Sequence, residues 1–338
     1  MLDRLLNKFR SPTGSKAIVL MYHRVAELKT DPWQLSVSPQ NFEEQISVLQ
    51  KKKYKFISIN ELAEQMENNS ISARTACITF DDGYADNYTN AAPVLENHGI
   101  KACFFICTGY IGSGKKFWWD SLEDILLNSP ELPTSLSLNP GGESFTFSSI
   151  EKKLCSEHEL KHASWVWPAP APTERIKLYL SLRERLRPLV LSKIGEHINE
   201  IKDWAGYKAG TELSDYPMDD NQLNKLAASK YFELGIHTHT HPALSFHSRG
   251  YQENEIVGCR QELEIRFGKK CSALAYPYGI FNEDTISIAK QENLSLAFTT
   301  HEQIVTSSSD PYQLGRFHVK NWTGKDFEKH LYNWNKYY

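Results

Sequence analysis

The stretch Ala76-Cys77-Ile78-Thr79-Phe80-Asp81-Asp82-Gly83 decides how the chain is read. Its first five residues form an apolar, partly β-branched run, the pattern of a buried strand. Two carboxylates stand at the C-terminal end of that run, and Gly83 lets the chain turn tightly there. Neighbouring strand residues face opposite sides of a sheet. Asp81 and Asp82 can therefore take different roles in one site only if the chain leaves strand geometry after Phe80. The plainer alternative is a turn in which an aspartate caps the following helix.

Working outward, Ala17 to Tyr22 is a second apolar run, and it delivers His23 at its end. Phe42, Ile46 and Leu49 recur at helical spacing after Ser38-Pro39. Phe56 to Ile59 reads as a short strand, with Asn60 as cap for a helix carrying Leu62, Ala63 and Met66. Beyond the aspartates a helix is predicted over 86–98, closed by Gly99, and then a strand from Ile100 to Cys107. Such alternation predicts a parallel α/β architecture.

The rhythm breaks after Thr108. A loop with Gly109, Gly112 and Gly114 leads into Phe117-Trp118-Trp119-Asp120 and a helical stretch over 122–127. A Pro/Ser/Gly-rich segment through Gly142 follows, then the proline-rich and extended 165–172. Residues 173–204 read as one helix or two, broken near Pro188. Residues 109–217 are thus a mostly helical insertion in a single domain spanning 17–338, with 1–16 as an N-terminal extension. Alternation then resumes. A helix over 221–230 and the strand Phe232 to Ile236 run into His237-Thr238-His239-Thr240-His241-Pro242. The remaining elements are a charged helix over 251–267, the strand Ala273 to Tyr276 with the turn Pro277-Tyr278-Gly279, a helix over 282–291, a strand over 294–299, the segment 312–319 and a last helix from Lys325. Chemistry-capable residues gather at strand C-termini, as in a βα barrel.

Composition narrows the function classes. The 338 residues are 41% hydrophobic and 23% charged, ordinary for a soluble globular protein. A net charge of −3 supplies no field to attract nucleic acid. No apolar run reaches bilayer-spanning length, and Met1 to Arg10 lacks the apolar core of a secretory signal. The six cysteines form no CxxC pair, so buried thiols in a reducing compartment are expected rather than disulfides. The expected location is cytoplasmic, with Arg4 to Arg10 drawn weakly to the inner face of an anionic membrane.

His237 and His241 lie four residues apart just after a strand. Two imidazoles at that spacing can reach one ion from a tight loop, and a carboxylate from elsewhere completes the open three-ligand set of catalytic zinc. The alternative is a histidine-rich polar loop. Trp118, Trp119 and Tyr278 are candidates to stack on sugar faces, with Asp120 placed to bond a hydroxyl. Burial in the core of the insertion is the competing reading for the tryptophans.

Thr79-Phe80-Asp81-Asp82-Gly83 together with His237-Thr238-x-x-His241-Pro242 resembles the polysaccharide deacetylase family, also called NodB homology or carbohydrate esterase family 4. The resemblance covers about 17–108 and 218–320. It implies a distorted (β/α)-barrel in which Asp82, His237 and His241 bind one divalent ion (zinc, with cobalt, nickel or iron as substitutes) and Asp81 is the catalytic base. Thr238 would brace the histidine loop, and His239 inherits no role. Two departures stand out. The family's arginine, two residues before Pro-Tyr-Gly, is replaced by Ala275, and Arg316 is the candidate to take its place. The family's late Leu-x-His motif has its counterpart at the front, in Leu20-Met21-Tyr22-His23. That order resembles the circularly permuted branch and makes His23 the expected general acid, with His318 in reserve.

The activity so implied is removal of N-acetyl groups from an amino-sugar glycan, or from a lipid- or nucleotide-linked precursor. The backbone N–H of Tyr84 would help hold the oxyanion. Deformylation, O-acetyl ester hydrolysis and inactive carbohydrate binding are the competing outcomes.

Overall fold

The computed structural model describes residues 16–208 and 215–337. Most of the N-terminal extension, including the basic stretch Arg4 to Arg10, lies outside the described residues. The strands are β1 (Ala17–Tyr22), β2 (Arg24–Val25), β3 (Ser36–Val37), β4 (Lys55–Phe56), β5 (Thr75–Phe80), β6 (Ala102–Ile106), β7 (Ser135–Leu138), β8 (Phe145–Ser148), β9 (Phe232–Ile236), β10 (Ala273–Ala275), β11 (Leu296–Phe298) and β12 (Phe317–His318). Seven of them form a continuous parallel path in the order β11-β10-β9-β6-β5-β1-β12, and β4 pairs with the start of β5. The sheet curls into an incomplete barrel, the fold expected from the alternation. Its seam is bridged by the backbone pairing of Phe298 with Leu314.

Both faces of this sheet are apolar, as a parallel sheet covered on both sides requires. Ile18, Leu20, Tyr22, Ile78, Phe80, Phe104 and Ile106 pack outward against the helices. Ala17, Val19, Cys77, Cys103, Ala275 and the rings of Phe105 and Phe298 fill the interior. That interior is narrow. A Cβ at Gly235 would stand 2.3 Å from the Phe105 ring, so only glycine fits there.

The outer helices are α1 (Pro39–Lys51), α2 (Ile59–Glu67), α3 (Ala92–Asn97), α8 (Asp220–Ala228), α9 (Arg249–Phe267), α10 (Glu283–Gln291) and α11 (Gly324–Tyr337), while α4 (Trp118–Asn128), α5 (Ser156–Ser164), α6 (Glu174–Leu186) and α7 (Leu191–Ala205) build the insertion. Ser58 caps α2 through a capping box with Glu61, and Asn60 sits inside the helix, which corrects the expected cap. The chain from Thr173 to Trp204 is two helices separated at Pro188, because proline cannot donate to the ladder. The Pro/Ser/Gly-rich segment holds an antiparallel hairpin, β7–β8, that the sequence reading missed.

The insertion has its own apolar core, and Tyr84 and Cys107 of the barrel belong to it as well. Its returning end is pinned to the aspartate turn. Ala85 donates to the Tyr216 carbonyl and Met218 to the Gly83 carbonyl, each at 2.9 Å. Among the described residues no helix is long and apolar enough to cross a membrane. All six cysteines are unpaired, and five of them are buried.

A buried acidic seam joins α4 to the turn between β2 and β3. Burial, reinforced by Asp120, Asp31 and Asp124, pushes the Glu123 carboxyl up to about 8, and Thr30 donates to it. A carboxyl raised in the fold above its unfolded value contributes fully at low pH and costs stability as pH rises toward its folded pKa. Glu123→Gln should therefore match the wild-type melting temperature near pH 5 and exceed it by about 2–4 °C at pH 8. Parallel melting curves across that range would remove the seam as a source of pH sensitivity.

Candidate active site

Register brings the site together. Tyr22 pairs with Phe80, so His23 and Asp81 leave their strands side by side, and Asp81 donates its N–H to the Tyr22 carbonyl at 3.0 Å. Ile106 pairs with Ile236, so Cys107 and His237 emerge together one step along. After Phe80 the chain does abandon strand geometry. Gly83 donates to the Asp81 carbonyl at 2.9 Å, closing a three-residue turn centred on Asp82 at φ +75°. Such a turn is rare and strained. It swings the two carboxylates into different neighbourhoods, which the plainer reading of a helix cap does not require.

Asp82 faces the histidines. Its Oδ1 lies 3.3 Å from His237 Nε2 and 3.2 Å from His241 Nε2, and all three residues are buried. Oδ1 accepts no hydrogen bond that would account for its burial. Donor atoms at tetrahedral zinc, with bonds of 2.0–2.1 Å, stand about 3.3 Å apart, so the spacing fits atoms that share a cation. His237 Nδ1 meets the Ala275 carbonyl at 2.8 Å, which places the ring proton there and turns the Nε2 lone pair toward Asp82. His241 lies at φ +58° in a loop where Thr238 Oγ1 accepts its N–H at 3.0 Å, the bracing expected of Thr238. Burial raises the cost of charge here. The two facing imidazoles nonetheless hold Asp82 well below the carboxylate range, and burial holds His241 below the usual imidazole range, in the neutral form that binds metals. His237 is held above that range: burial works against its charge, but Asp81 and Asp82 outweigh it.

Sequence reading missed one donor. The Cys107 thiol lies with the ligand atoms of Asp82, His237 and His241 in a set spanning at most 4.8 Å. It donates to the His237 carbonyl at 3.2 Å, and burial pushes its pKa well above the usual range. Its place at the end of an apolar strand, like that of His23 and Asp81, was the available signal.

Asp81 turns the other way, onto Arg316. Two parallel hydrogen bonds of 2.7 Å join the guanidinium to both carboxylate oxygens. The Arg316 Nε donates to the Thr299 carbonyl, and Nη1 also donates to Thr79 Oγ1. Arg316 precedes β12 and runs through the barrel interior within 6 Å of the Phe105 and Phe298 rings, with no exposed surface. Burial would raise the Asp81 pKa; Arg316, with His237 and His23, holds it below the ordinary value.

His23 Nε2 is 4.0 Å from Asp81 Oδ2, its side chain is 14% exposed, and its buried Nδ1 has no hydrogen bond. Burial lowers its pKa against the pull of Asp82 and Asp81. The His318 ring lies 5.8 Å from that of His23, and burial pushes it down to about 3, which leaves it a neutral neighbour. His239 points away, exposed, toward Thr108 and Glu262.

The aromatic expectations need correcting. Trp118 and Trp119 are 4% and 7% exposed and belong to the insertion core, so neither ring is free to stack on a sugar. Trp119 instead packs 4.7 Å from the His241 ring and donates to the Tyr84 hydroxyl. Tyr84 in turn donates to Asp120 Oδ2 at 2.8 Å, and the Arg24 guanidinium lies over the Tyr84 ring. The Tyr84 side chain is buried structure; only its N–H, just past the turn, remains as a contact. Tyr278 is half-buried, at φ +57°, with its ring 4.4 Å from that of His241.

Known proteins share this arrangement of strands. The family model described as polysaccharide deacetylase matches residues 68–131 and 192–297, half of the chain, and breaks off within the insertion. A poly-beta-1,6-N-acetyl-D-glucosamine N-deacetylase of Staphylococcus epidermidis is 24% identical over 96% of this chain and 89% of its own length. Proteins of the same name in Staphylococcus aureus are 22% identical over 96% and 84%. Among solved structures, the Streptococcus pyogenes deacetylase PplD in complex with acetate aligns at a TM-score of 0.56 and 20% identity, covering 94% of this chain and 98% of that one. IcaB from Ammonifex degensii aligns at 0.53 and 18%, covering 96% and 98%. At these identities the structures testify to the fold alone. With the family model matched on both sides of the insertion, the chain belongs to the polysaccharide deacetylase family.

Proposed function

We propose that this protein is a metal-dependent N-deacetylase of an N-acetylglucosamine-containing glycan. The observation that carries the reading is the division of labour at the turn: Asp82 joined to His237 and His241, and Asp81 locked ionised by Arg316 beside them. The names of the staphylococcal relatives favour a β-1,6-linked polymer as the substrate. The donor set favours zinc, since two imidazoles and one carboxylate leave a position open.

A divalent ion held there supplies Lewis acidity for the amide carbonyl and makes an adjacent water acidic near neutrality. The protein's own groups do the rest. Asp81 takes the proton of the attacking water, and the Arg316 fork fixes which way its lone pairs point. The Tyr84 N–H, which no acceptor takes among the described residues, is available to the oxyanion as the carbonyl becomes tetrahedral. His23, whose Nε2 stands 4.0 Å from Asp81 Oδ2, receives a proton on that side and gives it to the leaving amine as the C–N bond breaks, so that acetate and a free amino sugar depart.

Asp82→Ala should bring bound metal well below one equivalent and abolish amine release from acetylated oligosaccharides. Asp81→Asn should keep the metal and lose at least about 100-fold in kcat. Elemental analysis with amine and acetate assays checks both, and acetate appearing without new amine would mark an esterase instead.

Arg316→Lys keeps the charge and loses the fork. An expected kcat loss of about tenfold to a hundredfold with metal content unchanged would mark Arg316 as the group that orients the base. Wild-type kcat in this variant would refute that role.

A further inference from the structure

A chain of rings and one cation leads outward from the metal-side histidine and serves no step of the mechanism. Tyr278 stands against His241 at 4.4 Å between centroids. The Arg183 guanidinium, on α6, lies 5.9 Å from the Tyr278 ring and 3.8 Å from the Trp33 ring. Trp33 and Trp167 then meet at 5.6 Å, tilted by 33°. Trp167 is 50% exposed, one of the few large apolar side chains that open on solvent.

The local structure holds these groups in place. The Trp33 indole N–H donates to the Tyr179 hydroxyl at 2.9 Å. The Asp31 carboxylate accepts the N–H groups of Leu35 and Ser36, fixing the turn that carries Trp33. Trp167 donates its backbone N–H to the Pro32 carbonyl at 2.8 Å, fastening the proline-rich loop of the insertion to that turn. Two hydrogen-bonding groups in this row are left without partners. Arg183 Nε and the Tyr278 hydroxyl are both buried and make no hydrogen bond, and no carboxylate pairs with Arg183 among the described residues. Unused donors beside an exposed ring call for a ligand with an apolar face and polar edges.

We propose that Trp167, Trp33, Arg183 and Tyr278 form a binding site for the sugar unit adjacent to the one being deacetylated. The neighbouring pyranose lays its C–H face on Trp167, and Arg183 and Tyr278 donate to its hydroxyl or acetamido oxygens. Trp33 is the fixed spacer that sets the height of the platform. The insertion thereby makes the enzyme one that reads a chain of sugars rather than a single unit. This inference rests on the deacetylase reading for the identity of the ligand.

The test compares N-acetylglucosamine with its β-1,6-linked tetrasaccharide on wild type, Trp167→Ala, Trp167→Phe and Arg183→Gln. Wild type should prefer the tetrasaccharide in kcat/KM. That preference should fall about tenfold in Trp167→Ala, through KM, recover in Trp167→Phe, and fall in Arg183→Gln. An undiminished preference in Trp167→Ala overturns the platform. If wild type releases amine from neither sugar, the deacetylase reading fails, and calorimetric binding of the same tetrasaccharide still decides the platform. Tenfold weaker binding by Trp167→Ala sustains it; equal binding overturns it.

Discussion

A guanidinium buried inside a protein barrel is costly to desolvate, and the Arg316–Asp81 pair shows how that cost is met. Both carboxylate oxygens and three guanidinium nitrogens find partners, and neither group is left to water. Truncating one side of such a pair strands the other charge at a cost of about 3–5 kcal/mol. The barrel's narrow interior, lined by alanine, cysteine and valine around two phenylalanines, leaves the channel through which the arginine reaches its partner. The pair therefore constrains strand spacing, core composition and the ionisation of Asp81 together. The cluster of Asp82, His237 and His241 shares that turn, so its geometry inherits that constraint.

Much of this could be read from residue order, for identifiable reasons. The strand ends announced themselves because β-branched and aromatic runs stop abruptly at ionisable residues, as at Phe80-Asp81 and Ile236-His237. Arg316 was legible only as a candidate, since nothing local in Leu314-Gly315-Arg316-Phe317 says that its side chain runs into the barrel. That depends on the pairing of Leu20 with Phe317. Trp118-Trp119 was misleading because an aromatic pair looks the same whether it meets sugar or core. The tertiary contact that decided it, Trp119 on His241, joins residues 122 positions apart. Cys107 was passed over for a similar reason: a thiol in an apolar strand is usually only packing. The β7–β8 hairpin was hidden by a composition rich in proline, serine and glycine, in which the alternation of Leu136 and Leu138 against Phe145 and Phe147 is too short to stand out.

The cluster's electrostatics also explain why two aspartates, adjacent in sequence and both buried, do not compete. Arg316 chiefly answers Asp81, His237 and His241 answer Asp82, and His237 and His23 act on both. A left-handed residue between strand and helix is the backbone device that separates them. A positive φ recurs at Thr238, His241 and Tyr278, in the two loops that face Asp82.

The backbone hydrogen bonds that tie Tyr216 and Met218 to Ala85 and Gly83 set how the insertion is attached. A segment hung on the barrel at one point could be lengthened, shortened or exchanged without disturbing chemistry. Here the returning limb is itself part of the scaffold of the aspartate turn. The material free to diverge is what lies between, the hairpin and the helices α5 to α7, with the ring-bearing loop at Trp167 among them. Grafting between relatives should respect that border: exchange the arch, and keep its feet.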